Sequence, residues 1–163
     1  MVKELFYSEN KINHGLLLLR VGVGTAFMFH GFPKLFMGGA AHLAKGLVVA
    51  GIPGGVIGAY MAGSAEFFGG IALILGILVR PAAIIMAFNM LVALTFHLKR
   101  GDSFVEYSHA VESGILFLSL LVMGPGRFSL DRIFWGRKQE VKGITSQARI
   151  GKGIKDFGLD KAA

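Results

Sequence analysis

The chain has 163 residues, 53% apolar and 17% charged, with a net charge of +7 and no cysteine. A soluble domain carries about 25% charge. Here only 10 charged residues lie between His14 and Gly126, while 4 precede that stretch and 13 follow it, so a soluble globule is excluded. The absence of cysteine excludes a thiolate-ligated iron–sulfur cluster, c-type haem attachment and a thiol–disulfide relay within the chain. The expected fold is all-α, a bundle of four transmembrane helices.

A membrane-crossing helix needs about 20 predominantly apolar residues. The first such stretch is predicted over 15–32 and contains Arg20 and His30. Polar and mixed residues precede it and no small-residue cleavage site follows, so it reads as a retained signal anchor. Residues 40–50 are apolar but too short to cross, and Gly51-Ile52-Pro53-Gly54-Gly55 breaks them off. They read as a short interfacial or re-entrant helix, with a fifth crossing as the weaker alternative. The second span is predicted over 55–79 with Glu66 as its sole charge, and Arg80-Pro81 then breaks the chain. The third covers 82–98 and contains Asn89; the fourth covers 106–124 and carries His109 and Glu112. Gly124-Pro125-Gly126 then forces a sharp exit, and Ser129 is placed to cap a short helix with Phe128, Ile133, Phe134 and Trp135 toward lipid. Residues 1–136 thus form the membrane domain, and 137–163 a basic, mobile cytoplasmic tail drawn to anionic lipid. Its charge is too sparse for nucleic acid, and none is expected as a partner.

Lysine and arginine near span ends set orientation. With four spans the termini share a side, which would hold Lys3, Lys11, Arg20, Arg80 and the 9 basic residues from Arg127 onward. The opposite side holds Lys34, Lys45, Lys99 and Arg100. Both termini are therefore expected in the cytoplasm, with the protein multi-pass in the cell membrane.

Small residues mark packing faces, because lipid gives no hydrophobic reward for helix association. Gly58, Ala62, Glu66 and Gly70 recur at four-residue spacing in the second span, and Gly22 and Ala26 in the first. Each face is expected to pack against another helix, and the second to turn Glu66 inward. The sequence also predicts that Arg20 reaches Glu66, since a carboxylate near mid-bilayer needs a partner, the alternative being an Arg20 side chain that snorkels outward. Asn89 is expected to donate an interhelical hydrogen bond, forming with Arg20 the structural polar core.

The histidines converge on one level. His30 closes the first span, His97 closes the third and His109 opens the fourth, all at the end opposite the termini, with Glu112 one turn below His109. Glu106, His109 and Glu112 step by three along one helix face, and His30 and Lys34 are four apart. Imidazoles and carboxylates in a confined site suit proton transfer to a reducible head group such as a quinone. Two imidazoles also suit a haem, which ranks second. A di-iron site requires two Glu-x-x-His elements, and Glu106 to His109 is a single one, so no metal is expected. The candidate ligand or proton-transfer residues are His30, Glu66, His97, His109 and Glu112, while His14 and His42 lie at the wrong end and in a loop. The alternative for each histidine is an interfacial ring with no ligand.

The order of motifs resembles the DoxX family of small four-helix membrane proteins. It rests on Leu19-Arg20 leading to His30-Gly31-Phe32-Pro33-Lys34-Leu35-Phe36, on Ala65-Glu66-Phe67-Phe68-Gly69-Gly70, and on Gly124-Pro125-Gly126-Arg127-Phe128-Ser129-Leu130-Asp131, over residues 16–134. The resemblance implies an inner-membrane bundle. It also implies a loose link to quinone-coupled redox or thiol-stress pathways, through the similar membrane subunit of thiosulfate:quinone oxidoreductase. Any sulfur step would belong to a redox protein partner, because this chain has no cysteine.

The leading expectation is a redox-associated membrane subunit, with a quinone-linked oxidoreductase as the candidate enzyme, that binds a quinone-like or other hydrophobic redox ligand inside the bundle near the outer leaflet. The alternative is a non-enzymatic scaffold that recruits soluble partners through the basic tail. A small transporter ranks third, and would need a homo-oligomer joined through the small-residue faces.

Overall fold

The computed structural model describes residues 9–136; the basic tail lies outside the described residues. Five α-helices follow one another: α1 (Glu9–Phe36), α2 (Gly39–Val49), α3 (Gly55–Leu75), α4 (Val79–Arg100) and α5 (Phe104–Met123). A short π-helical turn, Arg132–Gly136, comes last. The described residues contain no strand. α1, α3, α4 and α5 are long and apolar enough to cross a membrane, whereas α2, with 11 residues, is not. The chain is an all-α, four-span integral membrane protein, and the short segment between the first two spans is a separate helix.

Helix ends differ from the sequence reading where capping outweighs composition. α1 continues through Pro33 to Phe36. Proline sits there in the last turn, where losing one N–H costs a single bond. Met37 then donates its N–H to the Pro33 carbonyl, and Gly38 (φ 76°) turns the chain into α2. α3 stops four residues early at Gly76, whose left-handed φ of 70° lets Ile77 N–H reach Ala72 O in a Schellman-type close. α4 starts at Val79, ahead of the expected Arg80-Pro81 break. Pro81 is its third residue, and the first turn of a helix has no use for its own N–H groups. α5 opens with a capping box, in which Glu106 Oε2 accepts the Ser103 N–H at 2.6 Å.

The bundle is built from two close pairs, α1 with α3 and α4 with α5. The glycines that permit the first pair are not those the four-residue spacing suggested. Gly22 has nothing near it and Ala26 is exposed. Instead Gly24 and Gly31, seven apart, face α3: a Cβ on Gly24 would lie 2.6 Å from Gly70 O, and one on Gly31 would lie 2.7 Å from Gly63 O. The pairing of Gly24 with Gly70 and of Gly31 with Gly63 makes the helices antiparallel. On α3 the buried face is Ala59, Gly63, Glu66, Gly70 and Leu73, so Glu66 does point inward, beside the expected Gly70 but without Gly58 or Ala62. The interior is filled by Phe27, Leu73, Met86, Phe117 and Leu120. Outward faces carry exposed Leu18, Phe29, Phe68, Phe88 and Val122, as lipid requires. α2 lays Ala40, Ala44 and Leu47 against Ala59, with Phe96 of α4 alongside.

The end of the bundle nearest the termini is closed by residues 124–131. Arg127 N–H donates to Asn13 Oδ1 at 2.7 Å, and Asp131 N–H donates to Gly76 O at 2.9 Å. The Asp131 carboxylate in turn accepts the N–H groups of Leu78 (2.7 Å) and Val79 (2.9 Å), capping α4 from 52 residues away. Leu78 holds a left-handed φ of 50°, the sole non-glycine to do so among the described residues. Ser129 Oγ accepts Arg132 N–H at 3.3 Å, the N-cap expected of it.

Candidate binding site

Glu66 sits midway along α3 and is 5% exposed. Its partner is Lys34, from the last turn of α1, whose Nζ donates to both carboxylate oxygens. Asn89 of α4 adds a third contact, its Nδ2 donating to Glu66 Oε1 at 3.2 Å. The glycine crossing explains why Lys34 arrives there. Gly31 lets α1 lie against α3, and Gly63 leaves room for the Lys34 Cβ, 2.8 Å from where its own would be. Both glycines stand three residues before the charge they position. Three helices thus converge on one carboxylate.

The expected Arg20–Glu66 pair does not form. Arg20 is 1% exposed but lies at the opposite end of the bundle, where Nη2 donates to the Phe128 carbonyl. Its Nε and Nη1 have no hydrogen-bond partner. Depth decides the matter: Gly24 pairs with Gly70, so Arg20, one turn earlier, falls level with Gly76 rather than with Glu66. Lys34 lies at the right level on the same helix.

Beside the Lys34–Glu66 pair is a cavity of about 150 Å³. Its polar wall comprises His30, Lys34, Glu66, His97, Glu106 and His109, and its apolar wall Phe27, Met90, Ala93 and Ala110. Four helices contribute, α1, α3, α4 and α5. The His30 and His109 rings lie 5.2 Å apart, and Phe27 stacks on His109 at 5.7 Å with its plane tilted by only 14°. His30 and His109 are themselves exposed, so the cavity is open where α1 and α5 meet through these rings. Of the residues singled out in the sequence, His30, Glu66, His97 and His109 line this one space. Glu112 is exposed on α5 outside it, and Asn89 touches it only through Glu66.

His97 has a partner the sequence reading did not single out. Its Nδ1 lies 2.7 Å from Asp102 Oδ2, and Asp102 is held in turn by Arg100 Nε at 3.5 Å and by its own N–H donated to His97 O. A carboxylate only accepts, so Nδ1 carries the hydrogen, and a neutral His97 presents its lone pair at Nε2. The signal for this pair was available: the Lys99-Arg100-Gly101-Asp102 turn folds Asp102 back over the last turn of α4, which Gly101 permits with a φ of 74°. No group of three or more residues able to hold a metal ion occurs among the described residues.

Comparison with known proteins agrees with this architecture. A family model described as DoxX matches residues 15–98, which contain Arg20, His30, Lys34, Glu66, Asn89 and His97. The chain is 30% identical over 122 residues to inner membrane protein YqjF of Escherichia coli (strain K12), covering 73% of this chain and 91% of the relative. It is 30% identical over 127 residues to inner membrane protein YphA of the same organism, covering 72% of this chain and 88% of the relative. No solved structure matches the chain significantly. With its four spans and its Glu66-centred polar core, this chain belongs to the DoxX family.

Proposed function

We propose that the protein is a redox-associated inner-membrane subunit whose cavity binds the head group of a quinone-like ligand. The observation that carries this reading is the cavity's size and lining taken together. A volume of about 150 Å³ is the size of the engineered protein cavity that admits benzene, so it takes one six-membered ring. The same comparison sets haem aside, because a porphyrin is several rings wide. One wall offers Phe27 and Met90 to a ring face, and the other offers Lys34, His30 and His109 as donors to ring oxygens and His97 Nε2 as an acceptor. The exposed His30–His109 mouth gives a lipid-soluble tail a way out between α1 and α5. The names of both relatives place them in the inner membrane, and the excess of lysine and arginine beside the termini supports a mouth that faces the outer side. A quinone bound here would supply electron-carrying capacity, while the chain's own residues orient the ring and exchange its protons.

The test is titration of a short-chain ubiquinone into the purified protein in nanodiscs. Ala93→Phe, which fills the cavity, and His109→Ala, which removes half of its mouth, are each expected to weaken binding by tenfold or more. Equal affinity in wild type and both variants would overturn the reading.

A further inference from the structure

Resting on the ring-ligand reading above, we propose that the cavity takes the hydroxyl-bearing, acidic form of its ring ligand, a hydroquinone or phenol, and that His97 Nε2 receives the hydroxyl proton while Asp102 positions His97. Three features support this assignment. His97 lines the cavity, and its Nδ1 is committed to Asp102 at 2.7 Å, so the nitrogen left to meet a ligand is Nε2. Nε2 has no hydrogen-bond partner among the described residues. Asp102 is itself only 11% exposed and sits in the α4–α5 turn, beyond the cavity and toward the aqueous surface opposite the termini. The chain of contacts therefore runs from the ring site through one imidazole to a carboxylate at the edge of the bundle.

The other charged groups in the cavity are already engaged or differently placed. Lys34 and Glu66 are bound to each other. Glu106 Oε2 is occupied by the Ser103 N–H and hydroxyl. His30 and His109 face each other at the mouth with no carboxylate bonded to either ring. His97 alone combines a place in the cavity with a carboxylate behind it, the arrangement in which an imidazole accepts a proton at one nitrogen while an anion steadies the resulting imidazolium at the other. The step is a simple transfer: the O–H bond of the ligand breaks, an N–H bond forms at Nε2, and a phenolate stands beside a cationic His97 and the Lys34 ammonium. No electron moves.

4-Nitrophenol is a suitable probe, being a single ring whose phenolate absorbs in the visible. Equilibrium dialysis against protein-loaded nanodiscs measures binding, with Ala93→Phe nanodiscs as the cavity-filled control, and the phenolate band measures ionisation of the bound probe. The pH is set below the probe's own titration, so that free probe is mainly protonated. Wild type is expected to bind more probe than the control and to hold most of it as phenolate. His97→Gln and Asp102→Asn should lower the bound phenolate fraction at least fivefold, whereas Glu112→Gln, outside the cavity, should leave that fraction unchanged. Binding no greater than in Ala93→Phe would overturn the ring-ligand reading and this proposal with it. Binding without ionisation, or ionisation that survives His97→Gln, would overturn this proposal alone. A purely structural role for Asp102 would lower binding without changing the phenolate fraction of what remains bound, and that result also overturns it.

Discussion

At the scale of single residues, the charge on Glu66 decides most of the interior. A carboxylate buried at mid-helix is tolerable only with a cation or donor beside it, and Lys34 with Asn89 meets that need. Removing one partner of a buried pair costs about 3–5 kcal/mol. Lys34 is 27% exposed on its side chain, so part of that cost is relieved by solvent or head groups, and Lys34→Met should destabilise by roughly 2 kcal/mol. Glu66→Gln added to Lys34→Met should recover much of the loss, because no unpaired charge is then left behind. Thermal unfolding of the two single variants and the double variant in detergent gives the coupling; simple additivity would contradict the pair as drawn. Asn89→Leu should cost less, about 1 kcal/mol, since it removes one neutral donor from a charged acceptor that keeps its ammonium.

At the scale of elements, the α1–α3 crossing and the cap on α4 are the two joints that position everything else. A valine at position 70 would drive its Cβ to 2.5 Å from Gly24 O, a backbone atom that cannot yield without the helices parting. Overpacking of this kind costs typically 1–3 kcal/mol and occasionally more. Gly70→Val should reach the upper end and displace Lys34 from Glu66 as well, whereas Gly22→Val, facing open space, should be nearly neutral. The melting temperatures of the two variants compare directly. Asp131→Ala should cost about 1–2 kcal/mol through loss of the α4 cap, and Leu78→Gly in that background should recover part of it by relieving a left-handed leucine. A melting temperature unchanged by Asp131→Ala would mean that other groups cap α4.

These joints also mark where the sequence stops being readable. The spans follow from apolar length, and the meeting of His30 with His109 follows from counting residues from the span ends. The crossing register does not follow. Gly22 and Ala26 satisfy the same small-residue spacing as a true interface, and only the partner helix selects Gly24 and Gly31 over them. The ion pair is a separate matter of depth: Arg20 shares the face of Gly24 and Gly31 but lies one turn beyond the Gly24–Gly70 crossing, level with Gly76 rather than with Glu66. The role of Lys34 is hidden differently: a lysine in the last turn of a membrane helix looks like an interfacial anchor reaching for water. Asp102 is a loop carboxylate five residues beyond His97, and only the tight Gly101 turn makes the two neighbours.

At the scale of the whole molecule, the two ends of the bundle differ in kind. The end opposite the termini is polar and open to one side, whereas the end beside them is tied by backbone and side-chain hydrogen bonds to residues 124–131. Orientation across the membrane is directly measurable, because a chain without cysteine gives no background. A single Lys45→Cys on the exposed side of α2 should react with an impermeant maleimide added outside intact cells. A cysteine at position 45 that reacts only after the cells are opened would invert the orientation proposed above.

The tie at the terminal end has a consequence for the order in which the protein is completed. Arg20 enters the membrane early, on the first helix made, yet the Phe128 carbonyl that receives its guanidinium and the Asp131 that caps α4 are made more than a hundred and more than fifty residues later. Until the last span has been inserted, a cation on α1 stays without its protein partner and α4 begins with bare N–H groups. Residues 124–131 therefore act as a completion signal, converting four inserted helices into one finished bundle. A chain ending at Met123 should insert all four spans and still be cleared or proteolysed faster than one ending at Gly136.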